Sequence, residues 1–517
     1  MPESMWRTFL VLGFFSVAAC AKDCVPYIVD NGVLACVCNS TYCDDTPDAE
    51  PKIPEKGSFY WYVSNKGGDR LRMSSGKFSP DENHSPTEEH LVLNRSKTYQ
   101  TILGFGGAFT DSVGINIKKL SPATQDQLIR TYYDPKVGSR YNLGRVPIAG
   151  TDFSTRGYTY DEDENDTSLE HFALSKEDHE YKIPFVKKAR ELNPDVKLVG
   201  AAWTAPIWMK TNKQYNGFGN DGGFLKKEYY QTYADYIIKF LDAYKENGLD
   251  IWAVSTGNEP LNAFNPGFPL TTMGWTPETL TNWVGNFMGP TLASSVHNET
   301  LILLLDDNRI VLPWFVTPTF ADEKASKYAA GTAVHFYMDS VMPATVLDWV
   351  HDDYPDKIIL MTEASTVPSS WGSPCVVSKI WSRAETYASS IIEYMNHWTV
   401  GWMDWNLVLD DKGGPNWLNN TNDVGVIVNP SKDEFYKTGI YYAIKHFSRF
   451  VDRNSVRVLI TDTAIIKATA FVTPSKEIVA VLCNRNKSSK TVIITDVDRG
   501  TMRLELSPNS INTVIYQ

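Results

Sequence analysis

Two glutamates stand where apolar runs end. Residues 249–260 (LDIWAVSTGNEP) pass from an apolar, β-type stretch into Asn258-Glu259-Pro260. Residues 357–364 (KIILMTEA) deliver Glu363 in the same way. A carboxylate at the end of a buried strand is placed to face a cleft. Alone, Asn-Glu-Pro would serve equally well as the polar cap of a surface strand; the second run favours a shared site. Two carboxyls at one cleft can divide the work of breaking an acetal: one protonates the leaving oxygen, the other attacks the anomeric carbon or activates water. Carboxyls about 5–5.5 Å apart suit retention of configuration, and about 6.5–9.5 Å suit inversion. The acid of such a pair must hold its proton at working pH, which a desolvated or like-charged setting provides.

Other chemistries lack their residues. No H-E-x-x-H, nucleotide-binding glycine motif or G-x-S-x-G elbow occurs. Gly104-Phe105-Gly106-Gly107 has no following GK[ST] and reads as a tight turn at a strand end. The formal net charge of -12 and the lack of a basic block argue against a nucleic-acid partner. No metal or organic cofactor is implied. The 15 Trp and 26 Tyr suit a large core, and equally suit stacking on sugar rings.

The elements that must position the two glutamates follow from the pattern. Strands are expected at 102–111, 141–148, 196–203, 249–255, 301–306, 333–338, 357–362 and 399–405. Between them, helices are expected at 120–133, 176–192, 226–246, 276–297, 322–330, 343–352 and 378–396. Apolar strands alternating with helices imply a parallel sheet, and eight such units suggest a (β/α)8 barrel. Glu259 then ends the fourth strand and Glu363 the seventh, at the same mouth. A further helix is expected at 435–450. Short alternating runs at 57–101 and from 456 to the end read as one β-domain built from both ends of the chain.

The fold class is therefore α/β: a TIM barrel, an accessory β-sandwich domain and a small disulfide-bearing β subdomain. Expected boundaries are 1–20 for a signal peptide and 21–54 with 408–436 for the subdomain. The sandwich takes 55–100 with 452–517, and the barrel 101–407 with 437–451. Residues 8–17 are an apolar core followed by small residues, with cleavage expected after Cys20; this is too short to span a membrane. Four of the remaining cysteines, Cys24, Cys36, Cys38 and Cys43, crowd together without a nearby histidine, which favours disulfides over zinc. Three pairings are open, with Cys36–Cys38 strained by its single intervening residue. Cys375 and Cys483 are expected to be free or buried. Sequons at Asn39, Asn83, Asn94, Asn165, Asn298, Asn419 and Asn486 fit a secretory route.

In order along the chain, LGFGGAFTD, YNLGRVPIAGTDFS, WTAPIWMKTN, IWAVSTGNEP, AVHFYMD, GWMDWNL and GGPNW resemble glycoside hydrolase family 30, and its glucosylceramidase branch in particular. The resemblance runs from CVCNSTYCD to near the C-terminus. It implies a barrel with a side β-domain and a retaining exo-β-glucosidase that releases glucose from glucosylceramide, with lysosomal delivery. By matched position it implies that Glu259 is the acid/base and Glu363 the nucleophile. Asn258, Asp152, Trp203, Trp405 and Asn420 correspond to sugar-contacting residues. Arg145, His335, Phe336 and Tyr337 correspond to positions around the nucleophile and the rim. It selects Cys24–Cys36 and Cys38–Cys43 as the disulfides. Candidate partners are a glycosphingolipid, a lipid-presenting (saposin-like) activator protein, an anionic membrane surface and a second copy of the chain. Gly257 departs from the pattern, standing where an acidic residue commonly precedes Asn-Glu. Two other readings are a family relative acting on another β-linked glycan and a secreted sugar-binding protein that has lost catalysis.

Overall fold

A strand covered on both faces has no solvent side, so it reads as an unbroken apolar run. The computed structural model describes residues 22–29, 32–45, 53–79, 85, 87–219, 221–366 and 380–517. Eight such runs form a closed parallel barrel. They are β1 (Gly104–Ala108), β2 (Leu143–Ile148), β3 (Lys197–Ala202), β4 (Ala253–Ser255), β5 (Leu301–Asn308), β6 (Ala329–His335), β7 (Ile358–Glu363) and β8 (Thr399–Asn406). This is the TIM barrel that the strand–helix alternation predicts. Leu143, Val199, Ala253, Leu303, Leu360 and Met403 pack as one buried layer inside it. The glycines of β1 serve close approach: a Cβ on Gly106 would lie 2.1 Å from the carbonyl oxygen of Leu143 on β2.

Helices cover the outside. Tyr230–Glu246 buries Tyr233, Ile237, Phe240, Leu241 and Tyr244 along one face. Large side chains buried in this way each contribute roughly 1.5–3 kcal/mol. Several expected elements fall elsewhere. The helix expected at 276–297 is broken into Pro277–Trp283, a π-turn at Val284–Met288, and Gly289–Ala293, where Gly289-Pro290 interrupts the pattern. The helix expected at 322–330 lies earlier, at Thr317–Ala321, because β6 already starts at Ala329. β4 is only three residues long, since its ladder with β3 and β5 begins at Ala253. A short helix that the sequence reading missed, Asp111–Lys118, is capped by Thr110.

Residues 435–450 are not all helical. Glu434–Thr438 is a strand, and the helix is Gly439–Ser448. Pairing overrides the helical pattern there, because the strand lies between Gly32–Asn39 and Val426–Asn429 in a five-stranded sheet. Disulfides Cys24–Cys36 and Cys38–Cys43 staple that sheet's first strands. A nine-stranded sheet joins both ends of the chain: Glu89–Thr101 lies between Lys490–Asp496 and Val456–Ile460. Ser58–Asn65 pairs with Ser510–Tyr516. Cys483 is buried and unpaired in this sheet. Asn165, Asn298 and Asn419 are exposed, and Asn39, Asn94 and Asn486 partly so. The expected signal peptide, Asn83 and Cys375 lie outside the described residues. No helix among the described residues is long and apolar enough to cross a membrane.

Candidate active site

Glu363 is the last residue of β7, so the barrel itself aims its side chain at the mouth. Tyr337 donates to its Oε1 at 2.7 Å, and Arg145 from β2 donates to Oε2. Arg145 is fully buried. Its Nη2 also reaches Asn258 Oδ1 and Asp306 Oδ2, each at 2.8 Å. Its guanidinium carbon lies 4.8 Å from the Trp203 ring centre and 5.4 Å from that of Trp405. A buried cation this heavily engaged would be costly to strip of one partner.

Glu259 does not end β4, which stops at Ser255; it lies four residues beyond, in a left-handed conformation with φ 44° and ψ 57°. That conformation costs a non-glycine residue about 1–3 kcal/mol and persists where its surroundings dictate it. Here they do. The amide of Asn258 donates to Ala202 O of β3 at 2.8 Å, and that of Glu259 to Asp306 O of β5 at 2.9 Å. Pro260 then opens a short 3-10 turn, Pro260–Phe264. From it, Asn262 Nδ2 donates to Glu259 Oε2 at 2.8 Å. His335 Nδ1 lies 3.1 Å from Glu259 Oε1, and its Nε2 lies 3.1 Å from Asp306 Oδ1. One oxygen of each glutamate and one ring nitrogen of His335 lie within 4.8 Å of one another.

The charges are strongly biased. Burial would lower the His335 imidazole, but Glu363, Asp306 and Glu259 outweigh it and push it up to about 10. His335 is therefore an imidazolium with both ring nitrogens donating. Burial would raise Asp306, yet Arg145 and His335 hold it well below the usual carboxylate range. Glu363 is raised: burial and the neighbouring Glu259 exceed the pull of His335 and Arg145. Burial, then the charge of Glu363, push Asp152 up to about 7, against a 2.7 Å bond from Asn420 Nδ2.

A pocket of about 200 Å³ lies at this mouth. Glu259, Glu363, Asn258, Asp152, Trp203, Trp405, Asn420 and Tyr337 line it. Trp203 and Trp405 stack with centroids 5.0 Å apart. Arg145 and His335 do not line it; they are wholly buried and reach it through the carboxylates. Phe336 does not line it either. It packs on Tyr337 and faces a larger cleft of about 760 Å³, which Tyr337 also lines. The sequence reading missed Asn262, Phe268 and Asn422 in the lining, and Asp306 beneath it. Asp306-Asp307 has the same signature as the two glutamates, carboxylates closing an apolar run, and that signal could have found them.

Further buried carboxyls are raised, chiefly by burial: Asp111 to about 6, Asp339 to about 7 and Asp404 to about 8. A carboxyl raised in the folded chain loses stability for it as pH climbs from its unfolded value, about 4, to the folded value. His335 acts in the same direction above about 6.5. Burial depresses His446 to about 3, which acts oppositely below about 6.5. The carboxyls outnumber it. Unfolding followed by fluorimetry is expected to give a Tm several degrees higher near pH ~5 than near pH ~8. A flat or rising profile would refute this.

A barrel with paired carboxyls at its mouth is an architecture for acetal hydrolysis. Residues 102–451 match the glycosyl hydrolase family 30 TIM-barrel domain, and residues 454–514 match that family's beta sandwich domain. The chain belongs to glycoside hydrolase family 30 and is a glycoside hydrolase. It is 37% identical to the lysosomal acid glucosylceramidase of Mus musculus, over 98% of this chain and 99% of the mouse protein. It is 38% identical to a putative glucosylceramidase 3 of Caenorhabditis elegans, over 99% of each. Among solved structures, SrfJ from Salmonella typhimurium superposes with a TM-score of 0.81 at 26% identity, covering 89% of this chain and 99% of that one. An endo-β1,6-glucanase superposes with a TM-score of 0.76 at 29% identity, covering 90% and 99%.

Proposed function

We propose that this protein is a retaining exo-β-glucosidase that hydrolyses glucosylceramide to glucose and ceramide. The observation that carries this is the approach of the Glu259 and Glu363 oxygens to within 4.8 Å in a pocket of about 200 Å³. Carboxyl oxygens this close suit the shorter separation of a retaining pair better than the wider one of an inverting pair. In the first step Glu363 attacks the anomeric carbon while Glu259 gives its proton to the glycosidic oxygen, releasing ceramide. In the second, the Glu259 carboxylate takes a proton from water, whose oxygen displaces Glu363 and frees glucose. The roles follow the match of this chain to its family.

The surrounding side chains fit that sequence. Arg145 and Tyr337 hold the Glu363 oxygens for in-line attack. The His335 imidazolium stabilises the Glu259 carboxylate after it has given up its proton. Asp152, Asn420 and Asn258 offer polar atoms to sugar hydroxyls, and Trp203 and Trp405 offer ring faces. A lipid aglycone is supported by the loops that follow β3, β4, β5 and β6. These expose Phe218, Phe264, Trp314 and Val341 on the same end of the barrel as the pocket. A polysaccharide would find fewer hydroxyl partners there. The raised buried carboxyls suit an acidic compartment such as the lysosome.

A substrate panel tests this. Glucosylceramide in detergent micelles, β-1,6-glucan and xylan are compared at acidic pH, and the first anomer released from an aryl β-glucoside is followed by proton NMR. Preferred turnover of glucosylceramide with β-glucose appearing first is expected. α-Glucose appearing first would overturn retention. Faster turnover of β-1,6-glucan would move the protein to the polysaccharide-cleaving side of the family. Iminosugar binding without any turnover would make it a sugar-binding protein.

A further inference from the structure

A two-stranded ribbon is marginal in water without something to hold it. One such ribbon stands at the mouth. Asn216–Gly217, from the loop after β3, pairs antiparallel with Phe268–Thr271, from the segment after β4. Two residue pairs are in register, with a slip between them. Backbone bonds flank them: the amide of Gly267 donates to Gly217 O at 2.8 Å, and that of Thr272 to Tyr215 O at 3.0 Å. Side chains two apart on a strand share a face. Phe268 and Leu270 accordingly both line the pocket of about 200 Å³, while Pro269 between them is exposed. They give an apolar wall to a pocket that elsewhere carries Asp152, Asn258 and Asn420. Outside the pocket the ribbon is flanked by exposed Phe218 and Phe264, the latter edge-on to Phe224 at 5.3 Å.

A buried charge holds this ribbon. Lys210 follows the 3-10 turn Ile207–Met209 after β3, and its side chain is wholly buried. Its backbone is fixed by a bridge to Leu225. Its Nζ donates to Gln214 O and to Thr272 O, each at 2.6 Å, and to Tyr215 O at 3.5 Å. An ammonium has three donors and no acceptor. Among the described residues no carboxylate pairs with Lys210, so these carbonyls take the place of its water. Two of them lead into Asn216–Gly217 and the third follows Phe268–Thr271. A buried charge stripped of such partners is strongly disfavoured, so one side chain fixes the spacing of both segments. Burial lowers the ammonium to about 7, with Asp221 opposing, which leaves it charged in an acidic compartment. We propose that Lys210 is a positioning residue for the aglycone: by tying the loop after β3 to the segment after β4, it holds Phe268 and Leu270 as the apolar wall on which the lipid lies. This rests on the lipid aglycone proposed above.

The test uses Lys210→Met, which nearly keeps the volume and loses the donors, on glucosylceramide micelles and on a small aryl β-glucoside. KM for glucosylceramide is expected to rise about tenfold with kcat within about threefold, and both constants for the aryl glucoside to stay within about threefold. An iminosugar carrying a nonyl chain should bind about tenfold more weakly, and its tailless parent as before. Hydrogen exchange reads the tie itself. The amides of Gly267 and Thr272 should exchange about tenfold faster or more, with β1 to β8 unmoved. If Lys210→Met does not fold, Lys210→Gln, which keeps an amide donor, decides by smaller shifts of the same kind. An unmoved KM for glucosylceramide, an equal loss on both glucosides, or faster exchange throughout the barrel would overturn the Lys210 role alone. A wild type that cleaves the aryl glucoside but not glucosylceramide would overturn the lipid reading, and this inference with it.

Discussion

Glu363→Gln is expected to lower kcat/KM by about 10⁴-fold or more on every β-glucoside, activated or not. The amide cannot form the covalent glucosyl intermediate, so the first step fails whatever the leaving group. It also presents an NH2 to a place where Arg145 and Tyr337 both donate, so the pocket gains a clash of donors as it loses its negative charge. Because glutamine fills the same volume, an external anion has no space to replace the missing carboxylate, and azide should not restore turnover. Labelling with a 2-deoxy-2-fluoroglucoside gives a second view. The wild type should gain one sugar mass on the peptide holding Glu363, and the variant none. Label on another residue, or a variant within tenfold of wild type, would end the nucleophile assignment.

Glu259→Gln should behave differently in kind. With glucosylceramide, whose leaving alkoxide needs a proton, a loss of about 10²–10⁴-fold is expected, the usual worth of a positioned general acid. With a dinitrophenyl glucoside the leaving group departs unaided, so the first step should survive and the intermediate should accumulate, lowering KM along with kcat. Azide needs no general base and should release that intermediate as β-glucosyl azide. An equal, unrescued loss on both substrates would mean that Glu259 does something other than move protons. Glu259→Gln keeps a single acceptor oxygen where His335 and Asn262 Nδ2 both donate, so one of the two loses its acceptor.

The parts of this site that were legible in the sequence are those fixed by local pattern. Glu363 could be read because β7 is a run, buried from Ile359 onward, that ends on it. Glu259 could be read as a site residue but not placed. Its strand stops four residues earlier, and a left-handed turn held by backbone bonds to β3 and β5 carries it back to the mouth. Nothing in LDIWAVSTGNEP encodes those two bonds; they exist only once the barrel has closed. Asp306 and Asp307 were missed for a related reason. A bulge in β5 breaks the alternation on which a strand's faces are read. Glu434–Thr438 has the spacing of the helix that follows it, and only its partner strands in the stapled sheet make it extended. The barrel strands were legible as unbroken apolar runs between helical patterns, and the two-ended β-domain through its short alternating period.

The nine-stranded sheet also constrains how this protein is made. Glu89–Thr101 cannot take its place until Val456–Ile460 and Lys490–Asp496 exist, and the whole barrel is encoded in between. At about 5–20 residues per second, the growing chain carries those early strands unpaired for roughly half a minute. Their open edges must be shielded from other chains during that time. Ser510–Tyr516 then enters between Ile478–Asn484 and Ser58–Asn65, so a strand made after the barrel seats beside one made before it. A ribosome that stops before Ser510 releases a molecule with Glu259 and Glu363 already encoded and Ser58–Asn65 still without that neighbour.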